Sequence, residues 1–178
     1  MDVGWNMSLL ERVNEYLRRA DRPDDPIGEL QNVYSAYNAL YAARYPKGRD
    51  HESCIRFAME LELSKEQLTA LFVNEHTGFF ARRFAELGGA VILQITKTGK
   101  TKKPPNSDRH KLIVSGFSGD VLTLEHLSVL MDVIYIARCN LIHGGKLVTN
   151  PVNWQVCHHT AEILKLMISF ALPKTVDV

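Results

Sequence analysis

The sequence predicts an all-α fold: one domain over residues 1–178, built as a bundle of about six or seven helices with short connections. Three observations predict it. Apolar residues recur at helical spacing through most of the chain, and capping residues with Gly or Pro punctuation separate the periodic segments. A run from about Thr123 to His143 is apolar around most of its circumference, which places it in an interior or an interface. With 46% hydrophobic and 23% charged residues, the chain is long enough to bury one real core, and no second domain is required.

The first helix is expected from Ser8, with Glu11 completing a capping box, through Leu9, Leu10, Val13, Tyr16 and Leu17 to about Ala20. The stretch from Asp21 to Pro26 breaks it, and Asp25 with Pro26 supplies the N-cap and first position of a second helix that stops at Pro46. That helix carries Tyr34, Tyr37, Tyr41 and Tyr45. Such a stripe could stack bases, but at helical spacing it reads better as core with wet hydroxyls. Asp50 opens a third helix through Leu61, and Ser64 with Gln67 caps a fourth through Phe72. From Thr77 to about Thr96 the apolar period runs through Gly88 and Gly89 and predicts a helix; the rival is a hairpin pairing Val91–Ile95 with Lys111–Val114. Asn150 and Pro151 open the last helix, whose stripe is Trp154, Cys157, Ala161, Leu164, Ile168 and Ala171, and Pro173 ends it before a loose tail.

Between these elements, residues 97–111 form a Pro-containing loop with room for a short hairpin, and the positive charge collects there. Lys97, Lys100, Lys102, Lys103, Arg109 and Lys111 are opposed only by Asp108. The whole chain has a net charge of +1, so attraction to a polyanion must rest on this local cluster, and the loop is a candidate RNA-phosphate contact. Its sole candidate general base is His110. Three scattered cysteines, Cys54, Cys139 and Cys157, form no CxxC pair and point to reduced thiols in a cytoplasmic protein. No signal-peptide pattern or membrane-length apolar run is seen. His51 and Cys54 make a His-x-x-Cys pair with no second pair at zinc-finger spacing; His158-His159 with Glu162 is a second weak metal candidate, in which His158 and Glu162, four apart on the polar face of the last helix, read better as a solvated surface pair. Neither metal nor cofactor is expected.

The apolar run becomes a candidate site at its end: Ile134-Tyr135-Ile136-Ala137-Arg138-Cys139-Asn140-Leu141-Ile142-His143-Gly144-Gly145-Lys146. Arg138 falls in the apolar row of Leu127, Met131 and Ile134, where a charge must be paired or used. His143 lies five positions later, about 140° away around an unbroken helix at roughly 100° per residue. Convergence of the two therefore needs a helix that ends inside the motif, which Gly144 and Gly145 favour, or a second copy across a symmetric interface. The bland alternative is a structural ion-pair arginine and a helix-capping histidine.

The string from Arg138 to Lys146 resembles the HEPN family (higher eukaryotes and prokaryotes nucleotide-binding), whose signature is an arginine, four to six residues, then a histidine; here four residues intervene. The likeness covers about thirteen residues and the helical layout. Many members carry a polar residue directly after the arginine, where this chain has Cys139, with Asn140 one place later. The resemblance implies a metal-independent endoribonuclease acting as a toxin of a toxin–antitoxin pair or an antiviral defence effector. In such chemistry the ribose 2′-OH attacks the adjacent phosphorus to leave a 2′,3′-cyclic phosphate. Arg138 and His143 would be catalytic, with Asn140 orienting His143 or the substrate and Lys146 holding a phosphate. Its implied partners are RNA, a second copy docked through the motif helix, and an antitoxin or sensor protein. Two other readings remain: a non-catalytic RNA-binding module, and a helical assembly partner.

Overall fold

The computed structural model describes residues 7–22, 24–95, 100–143 and 151–172, with positions 142 and 143 described by their helical backbone alone. The all-α expectation holds. Eight α-helices follow in order: α1 (Met7–Ala20), α2 (Pro26–Arg44), α3 (Asp50–Met59), α4 (Lys65–Phe72), α5 (Glu75–Glu86), α6 (Lys111–Phe117), α7 (Leu124–His143) and α8 (Pro151–Ala171). A two-residue antiparallel pair, β1 (Gln94–Ile95) with β2 (Thr101–Lys102), and a 3-10 turn (Ser107–His110) lie between α5 and α6.

The caps explain most of these boundaries. The Asp25 side chain accepts from Gly28 N and Pro26 sits in the first turn, so α2 starts where its breaker ends. Ser64 and Gln67 form a complete capping box on α4. Asn74 accepts from the amides of His76 and Thr77 to start α5. The first helix differs from expectation. Its described part already includes Met7, one residue before the expected start at Ser8.

The main correction falls between residues 77 and 117. The helix does not run through Gly88 and Gly89. Gly88 takes φ 63° and Gly89 takes φ 97°, and Gly89 N bonds Phe84 O while Gly88 N bonds Ala85 O. That is the paired closure of a Schellman motif, and its left-handed residue is open to glycine at no steric cost. The rival hairpin is also wrong in its partner, because β1 pairs with β2 and Lys111–Val114 belongs to α6, the helix not foreseen. The apolar period across 84–95 survives because Val91 and Ile92 are core residues reached by a loop.

α2 is the central strut. It packs on α1 and α8 and also touches α3 and α7. Tyr34, Tyr37 and Tyr41 are buried, as a core stripe should be, and their hydroxyls have partners within the protein. Tyr37 donates to Cys54 O at 2.9 Å, and Tyr34 and Tyr41 meet at 3.1 Å. α7 buries Leu127, Leu130, Met131, Val133, Ile134 and Ala137 against α3, α6 and α8, which accounts for its apolar circumference within one chain. No described helix is long and apolar enough to cross a membrane.

Candidate functional site

Arg138 lies one and a half turns before the end of α7, where the helix leaves the core. Its side chain is 28% exposed. The guanidinium lies over the ring of Tyr34, 5.1 Å from its centroid, and 6.0 Å from that of Tyr135, an arrangement that suits a planar cation. Its carboxylate partner is Asp50 at the start of α3, with Nη1 to Oδ2 at 3.7 Å. Asp50 in turn accepts from the Tyr41 hydroxyl and, at 3.4 Å, from Asn38 Nδ2. Burial opposes the charge on Arg138, but Tyr34, Cys139 and Asp50 more than offset it, holding its pKa above the ordinary guanidinium value. The arginine is therefore a fixed, permanent cation.

This cation lines a cleft of about 770 Å³ between α1, α2 and the end of α7. Arg12, Gln31, Tyr34, Ser35 and Asn38 supply its polar wall, and Leu9, Ala39 and Leu141 its apolar one. Such a mixture admits a ligand that is part anion and part planar ring. None of Arg12, Asn38 or Asp50 was singled out by sequence reasoning as a site residue. They stand on three different helices and come together only through packing.

Asn140 holds the backbone of another segment. Its Oδ1 accepts from Ile95 N at 2.7 Å and its Nδ2 donates to Leu93 O at 2.6 Å. The amide bonds two backbone groups of one segment and straps β1 onto α7. Since β1 pairs with β2, Asn140 also fixes the strand that carries Lys102. The motif helix and the basic segment, separate in sequence, are thus joined by a motif residue.

The basic residues do not act alike. Lys102 is exposed on β2, Lys103 donates to Gly88 O across the end of α5, and Arg109 pairs with Glu125 of α7 at 3.6 Å. Lys100 and Lys111 are exposed. His110 is fully buried and accepts from Val91 N at 3.1 Å, so the loop's one candidate base is inaccessible. Burial pushes its imidazole pKa below the usual value.

The His143 side chain, Gly144, Gly145, Lys146, Lys97, the Asn150 cap and Pro173 lie outside the described residues. The helical backbone, however, extends through position 143. Helix termination between Arg138 and His143 is thereby removed as a way to bring them together.

The two histidine pairs singled out in the sequence are used unexpectedly. His51 leaves Cys54 and contacts Asp132 of α7, Nε2 to Oδ1 at 2.7 Å, with its ring 4.5 Å from that of Tyr135. The Cys54 thiol is buried, which pushes its pKa up to about 12. His158 is exposed, as a surface pair requires, but its hydrogen-bonding carboxylate is on another helix. His158 Nδ1 lies 3.2 Å from Oε2 of the buried Glu29 on α2, and Lys165 joins Glu29 at 2.5 Å and Glu162 at 2.7 Å.

Comparison with protein-family models, curated proteins and solved structures finds no match to this chain.

Proposed function

We propose that the protein is a metal-independent endoribonuclease whose active site is centred on Arg138 and His143. The observation that carries the reading is the placement of Arg138. Its guanidinium is held by ring faces and one long ion pair at the wall of a polar-lined cleft, instead of being closed into the core. A cation so held can stay in place while an RNA phosphate replaces or joins Asp50 as its partner. Charge developing on the phosphate oxygens during 2′-OH attack is stabilised there, and His143 moves a proton to or from the reacting oxygens. Products are a 2′,3′-cyclic phosphate and a free 5′-hydroxyl. Exposed Lys102 on the strapped strand adds phosphate affinity without chemistry.

An unbroken helix through position 143 puts the two residues about 140° apart, which favours a homodimer in which Arg138 of one copy meets His143 of the other. A toxin or antiviral effector role, with an antitoxin or sensor as partner, is the biological setting that the motif's resemblance suggests.

The Asp50 ion pair favours a second reading, in which Arg138 is a structural strut between α7, α3 and α2 and the protein binds RNA, or assembles with a helical partner, without cutting. Incubation of the pure protein with end-labelled RNA in the presence of a chelator separates the readings. Cleavage with cyclic-phosphate ends supports the nuclease, a mobility shift without cleavage supports the binding module, and no interaction leaves the assembly partner.

A further inference from the structure

His76, His158 and His159 come together at the packing of α5 on α8, although 82 residues separate the first two in sequence. Each offers a ring nitrogen within 4.8 Å of the other two. Nδ1 of His76 and Nδ1 of His159 are already 3.0 Å apart, and the three ring centroids form a near-equilateral triangle with sides of 5.3, 5.4 and 5.8 Å. Two imidazole nitrogens at that separation share at most one proton between them. A tetrahedral zinc ion with bonds of about 2.05 Å spaces its ligand nitrogens by roughly 3.3 Å, so this cluster is close to ligand spacing.

We propose that His76, His158 and His159 form a site for a divalent transition metal ion, Zn²⁺ in preference to the hard cations, clamping α5 to α8. Imidazole donors select Zn²⁺, Ni²⁺ or Cu²⁺ over Ca²⁺ and Mg²⁺. The outer contacts of the rings fit the assignment. Glu29 holds His158 by its Nδ1, and Glu75 lies 3.7 Å from Nε2 of His76, which is the carboxylate–histidine arrangement that orients metal-binding imidazoles. Glu162 forms a second donor set with His158 and Glu29, next to His158. His159 packs against the Phe79 ring at 4.3 Å, which fixes its plane. Arg82, on the same helix as His76, brings a positive charge near His159, and Glu75 brings a negative one.

The site shares no residue with the Arg138 cleft, and its ion serves packing, not RNA cleavage. The test uses the full chain stripped of metal with a chelator and then titrated with ZnSO₄ by calorimetry, with Co²⁺ absorption as a geometry probe. One Zn²⁺ should bind per chain, raise the melting temperature, and give tetrahedral Co²⁺ bands. Loss of an orienting carboxylate typically weakens a metal site about 10–100-fold, so His159→Gln, which removes a ligand, should weaken binding at least that much. The exposed His158→Gln serves where His159→Gln fails to fold, and each variant's metal-free circular dichroism reports its fold. Absence of binding at tens of micromolar Zn²⁺, or unchanged binding by folded His158→Gln and His159→Gln variants, overturns the site. Cleavage of RNA by the metal-free protein is unaffected by either outcome, so the metal site and the nuclease reading stand or fall separately.

Discussion

Two polar knots cross between helices on either side of α2, and they are built to opposite ends. Around Glu29, a carboxylate only 6% exposed is saturated by His158 and Lys165, and Lys165 is itself shared with Glu162. Around Arg138, a cation 28% exposed has one long carboxylate contact, two aromatic faces and an open cleft before it. The ingredients are the same, yet the first knot uses its charges fully within the fold and the second keeps a cation accessible. A buried pair whose members satisfy each other contributes to geometry. A positioned charge facing a cleft can act on something else.

The comparison is most sharply tested by truncating each knot. Arg138→Ala and His143→Ala should each lower RNA cleavage by roughly a hundredfold to ten-thousandfold, since acid–base catalysis and a charge clamp on phosphate each contribute about that much. Both variants should melt near the wild-type temperature. Lys165→Met should do the reverse: Glu29 loses its closest cation inside the protein, and stability should fall by about 2–3 kcal/mol in urea unfolding while cleavage by the folded fraction is retained. Aggregation of Arg138→Ala with a comparable loss of stability would make the two knots alike and favour the structural reading.

Smaller effects refine the picture. Asn140→Ala orphans Ile95 N–H and Leu93 C=O, at a cost of about 1–3 kcal/mol, and hydrogen exchange at Ile95 should accelerate. Neutralising Lys100, Lys102 and Lys103 together should flatten the salt dependence of RNA binding by about 0.7 in slope per lost single-strand contact; an unchanged slope would remove this segment from the interface. The least effect concerns His110, a buried polar group in neither knot. Its pKa is depressed in the fold, so its contribution to stability is complete above the unfolded value of about 6.5 and is lost as pH falls below it. His110→Gln should make the melting temperature less sensitive to acidification in that range.

Much of this was legible in local sequence chemistry. Asp25-Pro26 and Ser64 with Gln67 name their helix starts because a cap is a contact between neighbours in the chain. Gly88 was misread because periodicity counts apolar residues and cannot see that a left-handed glycine has already closed α5. Arg138 stood out because a charge in an apolar row is anomalous within one helix. Its setting did not, since Asp50, Tyr34 and Tyr41 belong to other helices and are joined only by packing. Asn140 stood out as a motif residue, but its observed partners are backbone groups 45 and 47 positions away, which no local pattern encodes. Of the histidine cluster, His158 and His159 are visible as neighbours in the sequence but His76 is not, because it meets His159 only when α5 docks on α8.

The most direct test of the nuclease account is cleavage of labelled RNA in chelator by wild type, by Arg138→Ala, by His143→Ala, and by an equimolar, re-equilibrated mixture of the two variants. The account predicts that wild type cuts and each variant alone does not. The mixture should recover about a quarter of the wild-type activity, because half of the dimers are mixed and each carries one complete Arg138–His143 pair contributed by different copies. Wild-type protein that leaves the RNA intact, or His143→Ala that cuts at the wild-type rate with the same termini, would contradict it.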